Sequence, residues 1–468
     1  MRRSIEFGSC LVVLFIAACS GDAGSSGGVD AGDDVDAGGC APGSGPTYHS
    51  GVIDSDETWT AATSPHVVRA TGGRLVVRNG ATLTIEPCVE VRLEEGASIT
   101  VGEGGEAGHL VAVGTAAQPI AFRDDGARWD QLLVEAPGEL RLAYATFTGG
   151  GGDSITYDGA TIVVDGDSEP PLDPIAFVDH VRVENSAGYG ILVRRTGAFV
   201  DGSADLVVTG SGADLADAPA PVLITAEAIG TLPEGDYTGN AVDEIRIEHG
   251  PANSAITVDT TFAGRGVPYH APEGITVARA IGAEADPAPT LTVEPGVTIQ
   301  FGPGSELAIG TDTIDHGTPG GLNAVGTADA PIVFTSDAES PAAGDWVGIV
   351  FREPPQGATN ALEHAVIEYA GGDCSCGGWS CPAVLSGDDQ DLPEDAAVLI
   401  YSWPPPASFM TNCTIRHSAG WGVLRGWTGA AIDFEAGNTF EDVAYCAQTT
   451  PQSPGAEPCP GSPYTCTP

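Results

Sequence analysis

Apolar residues in this chain recur at every second position in short runs. Leu75 and Val77 form one run, Leu83 and Ile85 the next, then Val89, Val91 and Leu93. A period of two sends one set of side chains inward and the other to solvent, the pattern of a half-buried strand. Turns fall between the runs at Asn79-Gly80, Glu86-Pro87 and Glu95-Gly96, where Gly and Asn accept positive φ. Helical periodicity is absent over any window long enough to matter. Strands of roughly three to five residues separated by turns suit a solenoid of three-sided coils, each of roughly 20–25 residues.

The pattern is also repeated. Leu83-Thr84-Ile85-Glu86-Pro87-Cys88-Val89 recurs as Leu291-Thr292-Val293-Glu294-Pro295-Gly296-Val297, and Val113-Gly114-Thr115 recurs as Val325-Gly326-Thr327. Ser186-Ala187-Gly188-Tyr189-Gly190 recurs as Ser418-Ala419-Gly420-Trp421-Gly422, in the same order. Spacing between the copies grows along the chain, so insertions lie between matching strands and one scaffold carries variable loops. Two modules are expected, 47–220 and 254–446, joined by a connecting β segment 221–253 and followed by a Pro- and Cys-rich tail 447–468.

The segment TLTVEPGVTIQFGPGSELAIG, then NAVGTADAPIVFTS and a later LEHAVIEYAGG, resembles the right-handed parallel β-helix repeats of bacterial surface proteins, the pectate-lyase-like superfold in its non-lyase form. The resemblance covers most of 67–215 and 275–440. It implies an all-β, right-handed parallel β-helix solenoid of two duplicated modules behind a disordered N-terminal linker. It says little of activity, because such a fold hosts lyases, hydrolases, adhesins and plain spacers. A row of β-sandwiches would also place strands every 8–12 residues or so. Its repeat would lie near 100 residues, about half the module length seen here.

Composition narrows the partners. The 468 residues carry 64 acidic and 18 basic side chains, a formal charge of −46. Such a surface repels phosphate backbones, so nucleic acid is not an expected partner. Every basic residue is Arg. A lysine Schiff base, a P-loop lysine and a lysine general base are therefore excluded.

The N-terminus reads as an address. Arg2 and Arg3 precede an apolar stretch, Gly8 to Ala18, too short to span a bilayer but suited to a signal-peptide core. Ile16-Ala17-Ala18-Cys19 resembles the bacterial lipobox. That resemblance implies a signal peptide 1–18, cleavage before Cys19, and acyl chains such as palmitate on Cys19. Ser20 after the Cys leans toward an outer-membrane lipoprotein, on its periplasmic or cell-surface face. Residues 19–46 are an acidic, Gly-rich linker that buries too little to order itself.

Nine cysteines remain beyond Cys10 and Cys19. Cys413 aligns with Val181 in an alternating strand and is expected to be a small buried apolar residue. The disulfide candidates are Cys40, Cys88, Cys374, Cys376, Cys381, Cys446, Cys459 and Cys466. Cys88, in a turn where the second copy has Gly296, is placed to reach Cys40. A bond from the tail to the Cys374–Cys381 insertion is expected to cap the last coil. Zinc through Cys374, Cys376 and Cys381 lacks the paired spacing such sites use.

No catalytic motif stands out, and the nine His are scattered singly. Asp124 and Asp125, beside Arg123 and Arg128, form one acidic set. Asp388, Asp389, Asp391, Glu394 and Asp395 form another, in the insertion 371–394 that also carries Trp379. Trp379, Asp388, Asp389 and Asp391 are the candidate ligand-binding loop; no catalytic residue, metal ligand or cofactor is assigned, and calcium has only slight support. The expected function is a non-catalytic cell-surface lipoprotein, a rigid scaffold for adhesion or for binding extracellular polysaccharide or another surface component. The alternative is a secreted carbohydrate-active enzyme, a polysaccharide lyase or glycoside hydrolase. An enzyme should gather carboxylates and an Arg in a groove on one face.

Overall fold

The computed structural model describes residues 39–71, 74–248, 255–281, 283, 287–311, 317–352, 360–374, 395–401, 404–452 and 464–467. Cys19, Cys376, Cys381, Cys459, Trp379, Asp388, Asp389 and Asp391 lie outside them. Gly38–Pro468 forms one compact unit.

Each strand pairs in parallel with the strand one coil further on, and the rest of the coil supplies the crossover that parallel pairing requires. Leu83 stacks on Leu110, Leu110 on Leu140 and Leu140 on Ala176, all pointing inward and all buried. Phe122 and Phe147 stack inside with ring centroids 4.3 Å apart. Each such side chain contributes about 1.5–3 kcal/mol by leaving water, which is what the alternating pattern encodes. Trp129 and Trp346 take the same place in the two repeats. Each is fully buried, with its indole N–H donating to the carbonyl of Thr148 or Glu368 at 2.9 Å.

One 14-stranded sheet runs from Val52–Ile53 to Thr439–Val443 and passes through both repeats. At about 4.8 Å per strand, the stack is about 60 Å long. The other faces change between the repeats. A 12-stranded sheet serves the first and ends at Gly235–Asp236, whereas a six-stranded sheet opens at Ala255–Ile256 and a five-stranded one at Thr260–Phe262. A 3-10 helix, Glu227–Thr231, bridges this exchange: Thr231 Oγ1 accepts from Phe199 N at 3.2 Å, and Thr257 Oγ1 donates to the Glu227 carboxylate at 3.1 Å.

The second copy is consequently shifted by one face. Glu90–Leu93 lies in the 12-stranded sheet, but its counterpart Thr298–Phe301 lies in the long sheet. Ile99–Val101 lies in the long sheet, and its counterpart Glu306–Ile309 in the six-stranded one.

Cys40 is bonded to Cys88, which holds a φ of 68° where the other copy has Gly296 at 82°. Cys413 is free and buried. Cys374 at the base of the insertion is disulfide-bonded, while Cys376, Cys381 and Cys459, on which the expected bond from insertion to tail also falls, lie outside the described residues. Cys446 bonds Cys466, because Thr449 and Cys466 pair antiparallel and turn the tail back on itself. The last coil is covered. Val423 N donates to the Ala447 carbonyl at 2.9 Å, the buried Arg425 donates to the carbonyls of Thr449 and Ile432 at 2.5 and 2.7 Å, and Tyr464 packs edge-on to Trp421.

Candidate functional site

The outward residues of the long sheet form one column along the whole stack. In the first repeat it runs Thr100, Leu133, Val163, Leu192 and Leu223. Leu133, Val163, Leu192 and Leu223 are buried although they face outward, because Tyr157, Ala160, Tyr189, Leu215, Ala218 and Ala220 close over them. In the second repeat the covered face belongs to the six-stranded sheet, where Val350, Leu399 and Leu424 lie with Trp421 and Tyr464. Trp421 and Tyr189 thus serve outer clusters, not the lumen.

From Arg246 onward the long sheet's column turns polar: Arg246, His270, Gln300, Thr335, Glu368, Arg416 and Glu441 follow in register. His270 sits between two carboxylates, Nδ1 at 3.0 Å from Glu244 and Nε2 at 2.9 Å from Asp337. Burial acts to lower its pKa, but the hydrogen bond and charge of Glu244, helped by Asp337, raise it overall. Burial acts the other way on Glu244, and the His270 bond and the His270 and Arg246 charges outweigh it to hold that carboxyl below its ordinary range. Arg246 bonds Glu244 at 2.9 Å, and Arg416 Nε donates to Glu368 at 2.6 Å while Thr335 donates to the other Glu368 oxygen at 2.9 Å.

A cleft of about 390 Å³ opens in the first repeat between Glu95, Arg128, Asp130, Gly152, Ser154 and Asp214. Burial, with the charge of Asp153 added, raises the pKa of Asp130. Arg128 does not join Asp124 and Asp125. Its guanidinium donates to the carbonyls of Gly150 and Asn185 at 3.0 and 2.6 Å and to Asp214 at 2.6 Å. Asp124 instead accepts from Gly126 N at 3.1 Å, a local turn. Gly152 stands so close that a Cβ would meet Asp130 Oδ1 at 2.8 Å. The Gly149–Gly152 run therefore wraps Trp129 and Asp130.

Of the second acidic set only Asp395 lies among the described residues. Its Oδ1 accepts from Cys374 N at 2.9 Å and its carbonyl from Trp421 N at 2.8 Å, so it fastens the base of the insertion. Cys374 is disulfide-bonded as well.

Residues that the sequence reading left aside meet at the corners of the coils. Tyr144, His180 and Asp205 stack on successive coils in the left-handed region, at φ 47°, 53° and 52°. The Tyr144 and His180 rings lie 4.4 Å apart, and His180 reaches Asp205 at 3.4 Å. At another corner Tyr369, His417 and Asp442 repeat the order at φ 61°, 55° and 52°, with rings 5.1 Å apart and His417 3.0 Å from Asp442. Their spacing, 36 and 25 residues at one corner and 48 and 25 at the other, departs from a fixed coil length and does not show which coils stack.

Residues 283–378 match the family model described as a pectate-lyase-like beta helix domain. The chain is a parallel β-helix. No curated protein and no solved structure matches it. Among the described residues the β-helix thus presents a polar face on which Arg246, His270, Glu368 and Arg416 are ion-paired, a cleft at Asp130, whose carboxyl pKa is raised, and aromatic-imidazole-carboxylate corners at His180 and His417. No helix among the described residues is long and apolar enough to cross a membrane.

Proposed function

We propose that this β-helix is a non-catalytic surface lipoprotein, anchored through Cys19 to an outer membrane, and that its rigid stack presents exposed side chains to extracellular glycan or another surface component. One observation carries the reading. On the face where carboxylates and Arg residues gather, from Arg246 to Glu441, Glu244 and Glu368 are each held by an Arg. A carboxylate so held has its lone pairs taken up by a fixed cation and is poorly placed to exchange a proton with a substrate, and Glu244 is in addition held below the ordinary carboxylate range. The half-buried Tyr144 and the exposed His180 stack into an aromatic corner against which a sugar ring can pack.

The test incubates the purified chain with pectin, alginate and other acidic polysaccharides, measuring unsaturated product, new reducing ends and retention on each immobilised glycan. Retention without turnover supports a binder; turnover overturns it. The anchor is tested by mass spectrometry of the native N-terminal peptide, where an unmodified Cys19 in the medium removes it. A second reading, a carbohydrate-active enzyme, draws on Asp130, whose raised pKa and place in the Arg128 cleft suit a general acid. Loss of turnover in Asp130→Asn favours that reading.

A further inference from the structure

We propose that Asp179, His180 and Asp205 bind a divalent transition-metal ion of the zinc, cobalt and nickel class. On a straight strand, neighbours point to opposite faces. Val178 and Val181 do point inward and are buried, but His180 sits at the corner with φ 53°, and the bend turns both it and Asp179 outward. Asp205 occupies the same corner one coil on, where Asp179 pairs with Ala204 and Val181 with Leu206.

Three donor atoms converge there. His180 Nδ1 lies 2.7 Å from Asp179 Oδ1 and 3.4 Å from Asp205 Oδ2, and all three lie within 4.8 Å of one another. Bonds of about 2.0–2.2 Å to zinc place neighbouring ligands about 3.0–3.5 Å apart, so small side-chain rotations complete the set. An imidazole among the donors selects against calcium and magnesium, which take oxygen ligands, and for zinc, cobalt and nickel. Two carboxylates balance the ion's charge. Tyr144, stacked on the imidazole at 4.4 Å, fixes its plane. The side chains are 37–62% exposed, which leaves coordination positions open to water or an external ligand.

The second corner is a control built into the same molecule. Tyr369, His417 and Asp442 form the same stack, but the residue before His417 is Arg416, whose guanidinium is bonded to Glu368. That corner offers two donors beside a cation, where the first offers three. Stacking alone therefore predicts equal behaviour at the two corners, and metal binding predicts that only the first responds. The site does not depend on glycan binding.

Titration of the metal-stripped chain with zinc chloride by calorimetry, and with cobalt chloride by visible absorption, decides the matter. The expected result is one ion that is lost in His180→Ala, weakened about tenfold or more in Asp205→Asn, and unchanged in His417→Ala. Far-UV circular dichroism checks that each variant is folded; these exposed side chains should leave it unaltered. Binding that survives both His180→Ala and Asp205→Asn, binding lost equally in His417→Ala, or no binding at millimolar metal overturns the proposal.

Discussion

The long sheet has two halves that differ in what lies on their outer side. From Leu133 to Leu223 its outward column is apolar and roofed by loops, so both faces of these strands are buried and the alternation of the sequence gives way to continuous burial, as in Ile162–Asp165. From Arg246 the column is polar, and Thr298–Phe301 alternates inside and outside cleanly. The same sheet, with the same parallel pairing, is stabilised outside by apolar burial in one half and by paired charges in the other. The changeover falls where the faces are exchanged. The roof follows the repeat, and the repeat moves to a different sheet.

The largest effect should come from the roofed half. Leu192→Ala should cost about 2–4 kcal/mol by leaving a cavity, whereas Gln300→Ala at the polar half should change stability by no more than about 0.5 kcal/mol. Urea unfolding monitored by circular dichroism measures both, and equal costs would erase the distinction between the halves.

The charge network should give a smaller, pH-dependent effect. His270→Ala leaves Glu244 and Asp337 without their shared partner and should cost about 1–3 kcal/mol. The folded pKa of His270 is raised, so its contribution is complete below an unfolded value of about 6.5 and is lost as pH rises through the folded one. Glu244 is depressed, and its contribution is present above about pH 4.3 and lost as pH falls through the folded value. The gap between wild type and His270→Ala should therefore be wider at pH 6 than at pH 9. A gap that grows with pH would show that the imidazole is not held charged.

The smallest effect concerns Asp130, an exception in the apolar half whose counterpart in the other repeat is the buried Val347. A raised carboxyl pKa costs stability above the folded value, and the cost disappears below the unfolded value of about 3.9. Asp130→Asn should stabilise at pH 7 by less than about 1 kcal/mol, since solvent screens a half-exposed group, and should be neutral near pH 3. Thermal unfolding at the two pH values checks the sign.

Much of the scaffold was legible in local pattern. Leu83 and Ile85 point inward as their spacing requires, Cys88 takes the positive φ of a Gly position and reaches Cys40, and Cys413 is buried. The candidate sites were less so. Arg128 lies four residues from Asp124 in the chain, yet it bonds Asp214, a partner that only the stacking of coils brings near. His180 reads as a lone histidine because Tyr144 and Asp205 are each about one coil away. Cys446 bonds Cys466 within the tail, a pairing that the order of the cysteines left open, since connectivity among several of them follows from how the backbone returns.

What the sequence determined by itself is therefore periodic and local: strands with an inward face, turns at Gly and Asn, and a module written twice. Those features need only a side chain's own neighbours and its preference for or against water. The tertiary structure alone decided which sheet each copy joins, which outer faces are roofed, and which side chains meet at the corners. Those outcomes depend on register between coils, and the face exchange around Gly235–Phe262 resets that register without changing the alternation of any single strand.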